Sequence, residues 1–220
     1  MTPALSAVYD DLVQHAADGR FAAAVRALRD RFAAKTGAFG ASDAWFEERT
    51  AAHWDRVLTD RATLRTMRAA PPPSFGAAHH AALDALDRAQ RGLFELRRVD
   101  TRAIDACCVV GGGSFRIADD EELLGRLLAP GDEVAPGLLD GHVVPTARGV
   151  ALLPGLLLHD PAATPHIRAL IDRVAASEPS TGGHDALLDK LLAMRHRFAA
   201  RSRMRVHQVY RPESIDDPPA

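Results

Sequence analysis

Cysteine is nearly missing from this chain: among 220 residues, Cys107 and Cys108 are the only two. Adjacent residues of a strand point to opposite faces, so the two neither pair with each other nor share a metal. A disulfide scaffold is excluded, and a reduced, cytoplasmic setting is expected. Long apolar runs are missing as well. Nothing approaches the roughly 18 consecutive apolar residues that a membrane-spanning helix needs. The first residues mix Asp10 and Asp11 with single apolar positions, without the basic head, apolar stretch and small-residue cleavage site of a secretory leader. Neither sign of charge dominates: the formal net charge is −2 and the pI about 6.5. That balance argues against wholesale electrostatic capture by nucleic acid or an anionic membrane and leaves only a local basic patch to look for.

Several chemical signatures are lacking too. Ten histidines are present, yet no HExxH places two of them on one helix face, and the adjacent His79 and His80 lie about 100° apart on a helix. Gly111-Gly112-Gly113-Ser114 lacks the Lys-Ser/Thr ending of a phosphate loop and the GxGxxG spacing. It leads into the strand pattern Phe115-Arg116-Ile117, whereas phosphate motifs lead into a helix. Ser114 is not in a GxSxG elbow either. The run is read as a hairpin turn. No cofactor is expected.

What is present is ordinary globular composition, 47% hydrophobic and 25% charged, enough for a real core in one or two domains. Leu5, Val8, Leu12 and Ala16 make a first helical stripe, and Phe21, Val25, Leu28 and Phe32 a second. The two helices are expected to pair as a helical hairpin. Ser42 or Asp43 is expected to cap a third helix that carries both tryptophans, Trp45 and Trp54, with His53 as a hydrogen-bonded core histidine. Pro71, Pro72 and Pro73 then stop the helical pattern.

After a further helix the period changes to alternation. Residues 93–99, 103–110, 114–117, 138–144, 149–153 and 156–159 read as strands joined by turns, with a short helix expected over 119–128. Asp160-Pro161 and Thr164-Pro165 match cap-then-proline helix starts. That helix would bury Ile167, Leu170, Ile171 and Val174. A last helix from about His184 would bury Leu187, Leu191, Met194 and Phe198, and the tail from Pro212 is expected to be disordered.

The expected fold is therefore α+β: an N-terminal helical subdomain, a central small antiparallel β-sheet or barrel of five or six strands, and C-terminal helices. As segments, residues 1–70 form the helical subdomain and 71–76 a proline-rich linker. Residues 77–176 hold a helix, the sheet and the following helix, and residues 177–220 a linker, a basic amphipathic helix and the tail.

Two constellations carry the functional reading. His159, Asp160 and His166 gather polar groups at a strand end followed by a capped helix, the place for acid-base or metal chemistry if they converge. Lys190, Arg197, Arg201 and Arg205 would line one strip of the last helix, within a segment whose basic residues exceed its acidic ones by five between His184 and Arg211. Such a strip suits an anionic partner. With no complete catalytic constellation, the reading is a non-catalytic cytoplasmic binding or regulatory module, with a protein as its partner and no bound metal. The rival is a hydrolase, metal-dependent or not, that uses the His159/Asp160/His166 region. A second alternative is weak nucleic-acid binding through the basic helix.

Overall fold

The computed structural model describes residues 3–43, 45–98, 103–118, 137–146, 149–176, 183–200 and 204–215. Apolar residues three and four apart build the first helix, α1 (Pro3–Ala16), which buries Leu5, Val8, Leu12 and Ala16. A single 3-10 turn, Gly19–Phe21, leads into α2 (Ala22–Thr36), and α2 stops at Gly37, whose φ of 94° suits a residue without a Cβ. Then come α3 (Phe46–Thr59), α4 (Arg61–Ala69) and, after the three prolines, α5 (Ala77–Leu86).

Neither Ser42 nor Asp43 caps α3. The Asp43 carboxylate instead accepts from Gly40 N at 2.9 Å, closing a local turn, and α3 begins after Trp45 without a side-chain cap. A cap does separate α3 from α4, where Asp60 accepts from Thr63 N at 2.9 Å. The expected hairpin of α1 with α2 is not the packing found: α1 lies on α3 and α5, and α2 on α3 and the last long helix. The physical reason is that the α2 stripe is shared. Its start, Phe21, joins the α1 core, whereas Phe32, at 1% exposure, packs with Ala52, Leu157 and Leu192.

Alternation produces β1 (Gln90–Arg98), β2 (Ala103–Cys108), β3 (Ser114–Ala118), β4 (Leu139–Thr146), β5 (Gly149–Leu152) and β6 (Leu157–Leu158). The sheet runs β1-β2-β3-β5-β4-β6, and β1 also pairs with β4, so five strands close into a ring. It is mixed, because β3 meets β5 in parallel while the other pairs are antiparallel. The glycine run is the β2–β3 turn. Gly111, Gly112 and Gly113 have φ of 84°, 78° and 100°, and Cys108 N donates to Gly113 O at 2.9 Å. The expected turn at 100–102 and the expected helix at 119–128 lie outside the described residues.

A 3-10 turn, Pro161–Ala163, capped by Asp160, precedes α6 (Thr164–Ala176). Then α7 (Gly183–Ala200) and the short α8 (Val206–Val209) follow. The start of the expected disordered tail forms one more 3-10 turn, Pro212–Ile215.

Opposite faces of the strands serve different cores. Phe94, Leu96, Ile104, Ala106, Ile117, Leu139, Val143 and Leu152 pack together on one face of the ring strands. Leu93 and Leu138 turn the other way, to meet Ile167, Leu170, Leu188 and Leu191 of α6 and α7. The N-terminal core runs across the proline segment, joining Leu12, Leu58 and Met67 to Leu83, Leu86, Val144 and Leu153.

Buried polar bonds fix where the N-terminal helices meet the loop before β6. Asp55, with no exposed surface, accepts from Tyr9 Oη at 2.5 Å and from Gly155 N at 2.8 Å. Burial pushes its carboxyl up to about 7, although both hydrogen bonds favour the charged form. Gly155 must be glycine for this contact, since a Cβ there would lie 2.4 Å from Ala52 Cα and 2.5 Å from Ala52 N. Gly155→Ala is therefore expected to lower stability by about 1–3 kcal/mol through overpacking. Urea denaturation measures the loss, and an unchanged midpoint would show that the loop yields freely.

Candidate functional site

The fourth apolar cluster, Phe32 with Ala52, Leu157 and Leu192, marks a seam between α2, α3 and α7. Amphipathic helices normally keep arginine off such a contact, because a buried charge without a partner costs several kcal/mol. Here α3 brings Arg49 and Arg56 to it, α7 brings Asp189 and Arg195, and β1 and β4 add Arg91 and Asp140.

At one end the charges are paired. Arg91 grips Asp140 with two parallel bonds, Nε to Oδ1 at 2.9 Å and Nη2 to Oδ2 at 2.7 Å, and its Nη1 donates to Asp189 Oδ1 at 2.7 Å. The same Asp189 oxygen accepts from Arg56 Nη2 at 2.5 Å, and Lys35 Nζ lies 3.3 Å from Oδ2. One carboxylate thus serves three cations. Burial alone would raise Asp189, but Arg56 and Arg91 outweigh it and hold the carboxyl below its ordinary value. Arg56 is lowered by burial first and then by the neighbouring charge of Arg91. Burial also works against the charged form of Arg91, yet Asp140 and Asp189 hold its pKa above the ordinary value.

Above this network opens a cleft of about 270 Å³ lined by Lys35, Arg56, Asp60, Arg91, His142 and Asp185, with Asp189 in its wall. His142 is buried and kept neutral, its pKa well below the ordinary value through burial and the charges of Arg91 and Arg56. The lining therefore presents charges of both signs, and its only imidazole does not carry a proton near pH 7.

At the other end the charges are not paired. Arg49 and Arg195 are 4% and 5% exposed, and among the described residues neither has a carboxylate within 4.0 Å. Arg49 Nη2 donates to Thr36 Oγ1 at 2.9 Å and Gly37 O at 2.6 Å, capping the carbonyl end of α2. Arg195 Nε donates to Leu158 O, and its guanidinium carbon lies 3.5 Å from the centre of the Trp45 ring. That stacking is the use found for one of the two tryptophans. Arg49 Nη1 and Arg195 Nη2 are left buried without a hydrogen-bond partner. Burial lowers both groups to about 10.

The residues singled out by sequence fall elsewhere. His159 is fully buried, with Nδ1 3.4 Å from Tyr210 Oη and Nε2 without a partner; burial, then Arg195 and Arg91, lower it to about 3. Asp160 is exposed and accepts from Ala162 N at 2.8 Å as a cap, and His166 is half-buried in the first turn of α6. His159 thus faces the core while the next residue faces solvent. Among the described residues, no group of three His, Cys, Asp or Glu side chains is placed to hold a metal ion. In the basic strip, Lys190 and Arg197 are half-buried on α7, Arg205 is exposed at the start of α8, and Arg201 lies outside the described residues. The middle of α7 is buried around most of its circumference, from Leu187 to Arg195. Among the described residues no helix is long and apolar enough to cross a membrane.

Sequence reading missed Arg49, Arg56, Arg91, Asp140 and Asp189. The available signal was a charge in an apolar phase: Asp189 stands between Leu187-Leu188 and Leu191-Leu192. Comparisons with protein-family models, with curated proteins and with solved structures returned no match.

Proposed function

We propose that the protein is a non-catalytic binding module that takes a small ligand carrying charges of both signs, of the amino-acid type, into the cleft above Asp189. The observation that carries this reading is the lining itself: Lys35, Arg56 and Arg91 stand with Asp60 and Asp185 around an open space of about 270 Å³ over a fixed ion network. Ligand sites are concave, with a few polar groups held in place by their neighbours, and Arg91 is fixed by three hydrogen bonds to two carboxylates. Catalysis is the poorer fit, since His142 is tuned far from the pH at which it would exchange protons efficiently. A cytoplasmic setting accompanies this reading, supported by two cysteines that stand unpaired.

The test is calorimetric titration with a panel of amino acids, set against acetate and methylamine as single-charge controls. Zwitterions should bind and the single-charge controls should bind at least tenfold more weakly, a difference of about 1.4 kcal/mol. Lys35 has a side chain 57% exposed, so Lys35→Glu should leave folding intact and reduce zwitterion affinity about tenfold as well. Equal affinity in the variant, or no heat from any member of the panel, would overturn the reading.

A further inference from the structure

The unpaired end of the seam carries a second inference, independent of the cleft. We propose that Arg49 and Arg195 together hold one monatomic anion, a halide such as chloride, in the small cavity between α2, α3 and α7.

The cavity is lined by Phe32, Thr36, Trp45, Arg49, Arg195 and His196, with Leu157 and Leu192 behind them, and its free volume is about 10 Å³. That is room for a single small particle and for nothing as large as a carboxylate-bearing molecule, and a halide, slightly larger than a water, enters with a small outward shift of the two arginine side chains. Two guanidinium groups border it, each almost wholly removed from solvent and each with one buried N–H nitrogen that no group among the described residues accepts from. Leaving such donors unmet is costly, and more so when they are charged. Asp43 and Glu48 are near enough to favour the charged forms, Asp43 that of Arg49 and Glu48 that of Arg195, but neither is an ion-pair partner.

The choice between a water and an anion follows from the lining. A water accepts from two donors and has two hydrogens of its own to place, whereas a halide only accepts. Thr36 Oγ1 accepts from Arg49 Nη2 and donates to Phe32 O at 2.8 Å, which spends its hydrogen and leaves one lone pair, and the Trp45 indole N–H is a donor only. Among the lining side chains, that lone pair and one His196 ring nitrogen are the acceptors left. The cavity thus offers more donors than acceptors and carries positive charge, which suits a halide better than a water. A halide also compensates the repulsion between the two guanidinium groups.

The experiment uses the full chain with Trp54→Phe, which leaves Trp45 as the only tryptophan. The protein is exchanged into sodium gluconate, and chloride or bromide replaces gluconate at constant ionic strength. A site in the folded state makes the melting temperature rise with halide concentration. Bromide should also quench Trp45 fluorescence with a saturable component. Crystals grown in bromide should give an anomalous peak between Arg49 Nη1 and Arg195 Nη2. Arg195→Gln should abolish the saturable quenching and the peak, while Arg195→Lys should retain part of both. If Arg195→Gln fails to fold, the bromide peak and saturable quenching in the parent decide the matter alone. Identical melting in chloride and gluconate, strictly linear quenching and no anomalous peak would overturn the proposal.

Discussion

Asp189→Ala should destabilise the protein by about 3–5 kcal/mol, the range for removing one partner of a buried ion pair. The side chain is 5% exposed and shared by Arg91, Arg56 and Lys35. Without it Arg91 keeps Asp140, but Arg56, whose side chain is 20% exposed, loses its carboxylate. The cost is chiefly that of a guanidinium left in the seam without compensation, not the net worth of the original pairs, which is far smaller. Asp189→Asn, which keeps an acceptor oxygen but no charge, should fall between wild type and alanine. Lys35→Ala should lie within about 0.5 kcal/mol of wild type, since its exposed ammonium pairs in high dielectric. Urea denaturation of the three variants measures the series. An alanine variant as stable as Lys35→Ala would mean that water enters the seam and screens the arginines.

The effect is large because the network ties together segments far apart in sequence, with partners separated by 49, 98 and 133 residues. This is also why it could not be read in advance. Alternation placed all six strands, since a period of two is a local property, and the three glycines marked their turn because positive φ excludes most other residues. Apolar stripes placed the long helices for the same reason. Pairing of elements is not local: nothing in the spacing of Phe21 and Phe32 says that one end of α2 meets α1's core and the other meets Leu192. The charged seam is harder still. Arg56 and Arg91 look like any surface arginine until the fold brings Asp189 to both, and a count of basic residues between His184 and Arg211 draws attention to Arg197 and Arg201 while Arg195 goes into the interior. His159 illustrates the converse, a site-like residue at a strand end whose ring the fold withdraws from solvent.

Acid should unfold the protein well before its carboxylates are fully protonated, because the fold buries neutral imidazoles. His53, His142 and His159 are 4%, 8% and 0% exposed. Burial lowers His53 to about 4 and His159 to about 3, and lowers His142 well below its ordinary value. The unfolded chain titrates these groups near 6.5. A folded pKa below the unfolded one means that the unfolded state binds more protons between the two, so stability is complete above about 6.5 and is lost as pH falls below it. Each group contributes a slope of at most about 1.4 kcal/mol per pH unit, and half that at pH 6.5, so three remove roughly 5 kcal/mol between pH 6.5 and 5. Asp55 acts in the opposite direction. Its folded pKa, about 7, lies above the unfolded value of 3.8, so its contribution is greatest at low pH and falls as pH rises through 7. It returns roughly 2 kcal/mol over the same interval. The net loss, on the order of 3 kcal/mol by pH 5, is a large share of the 5–15 kcal/mol typical of a folded domain. A cooperative acid transition between about pH 4 and 5 is therefore expected by circular dichroism. His159→Phe removes one proton-binding group and the unpartnered Nε2, so its transition should move to lower pH and become shallower by about one proton. A transition below about pH 3, or one unmoved in the variant, would show that the buried histidines do not govern acid stability.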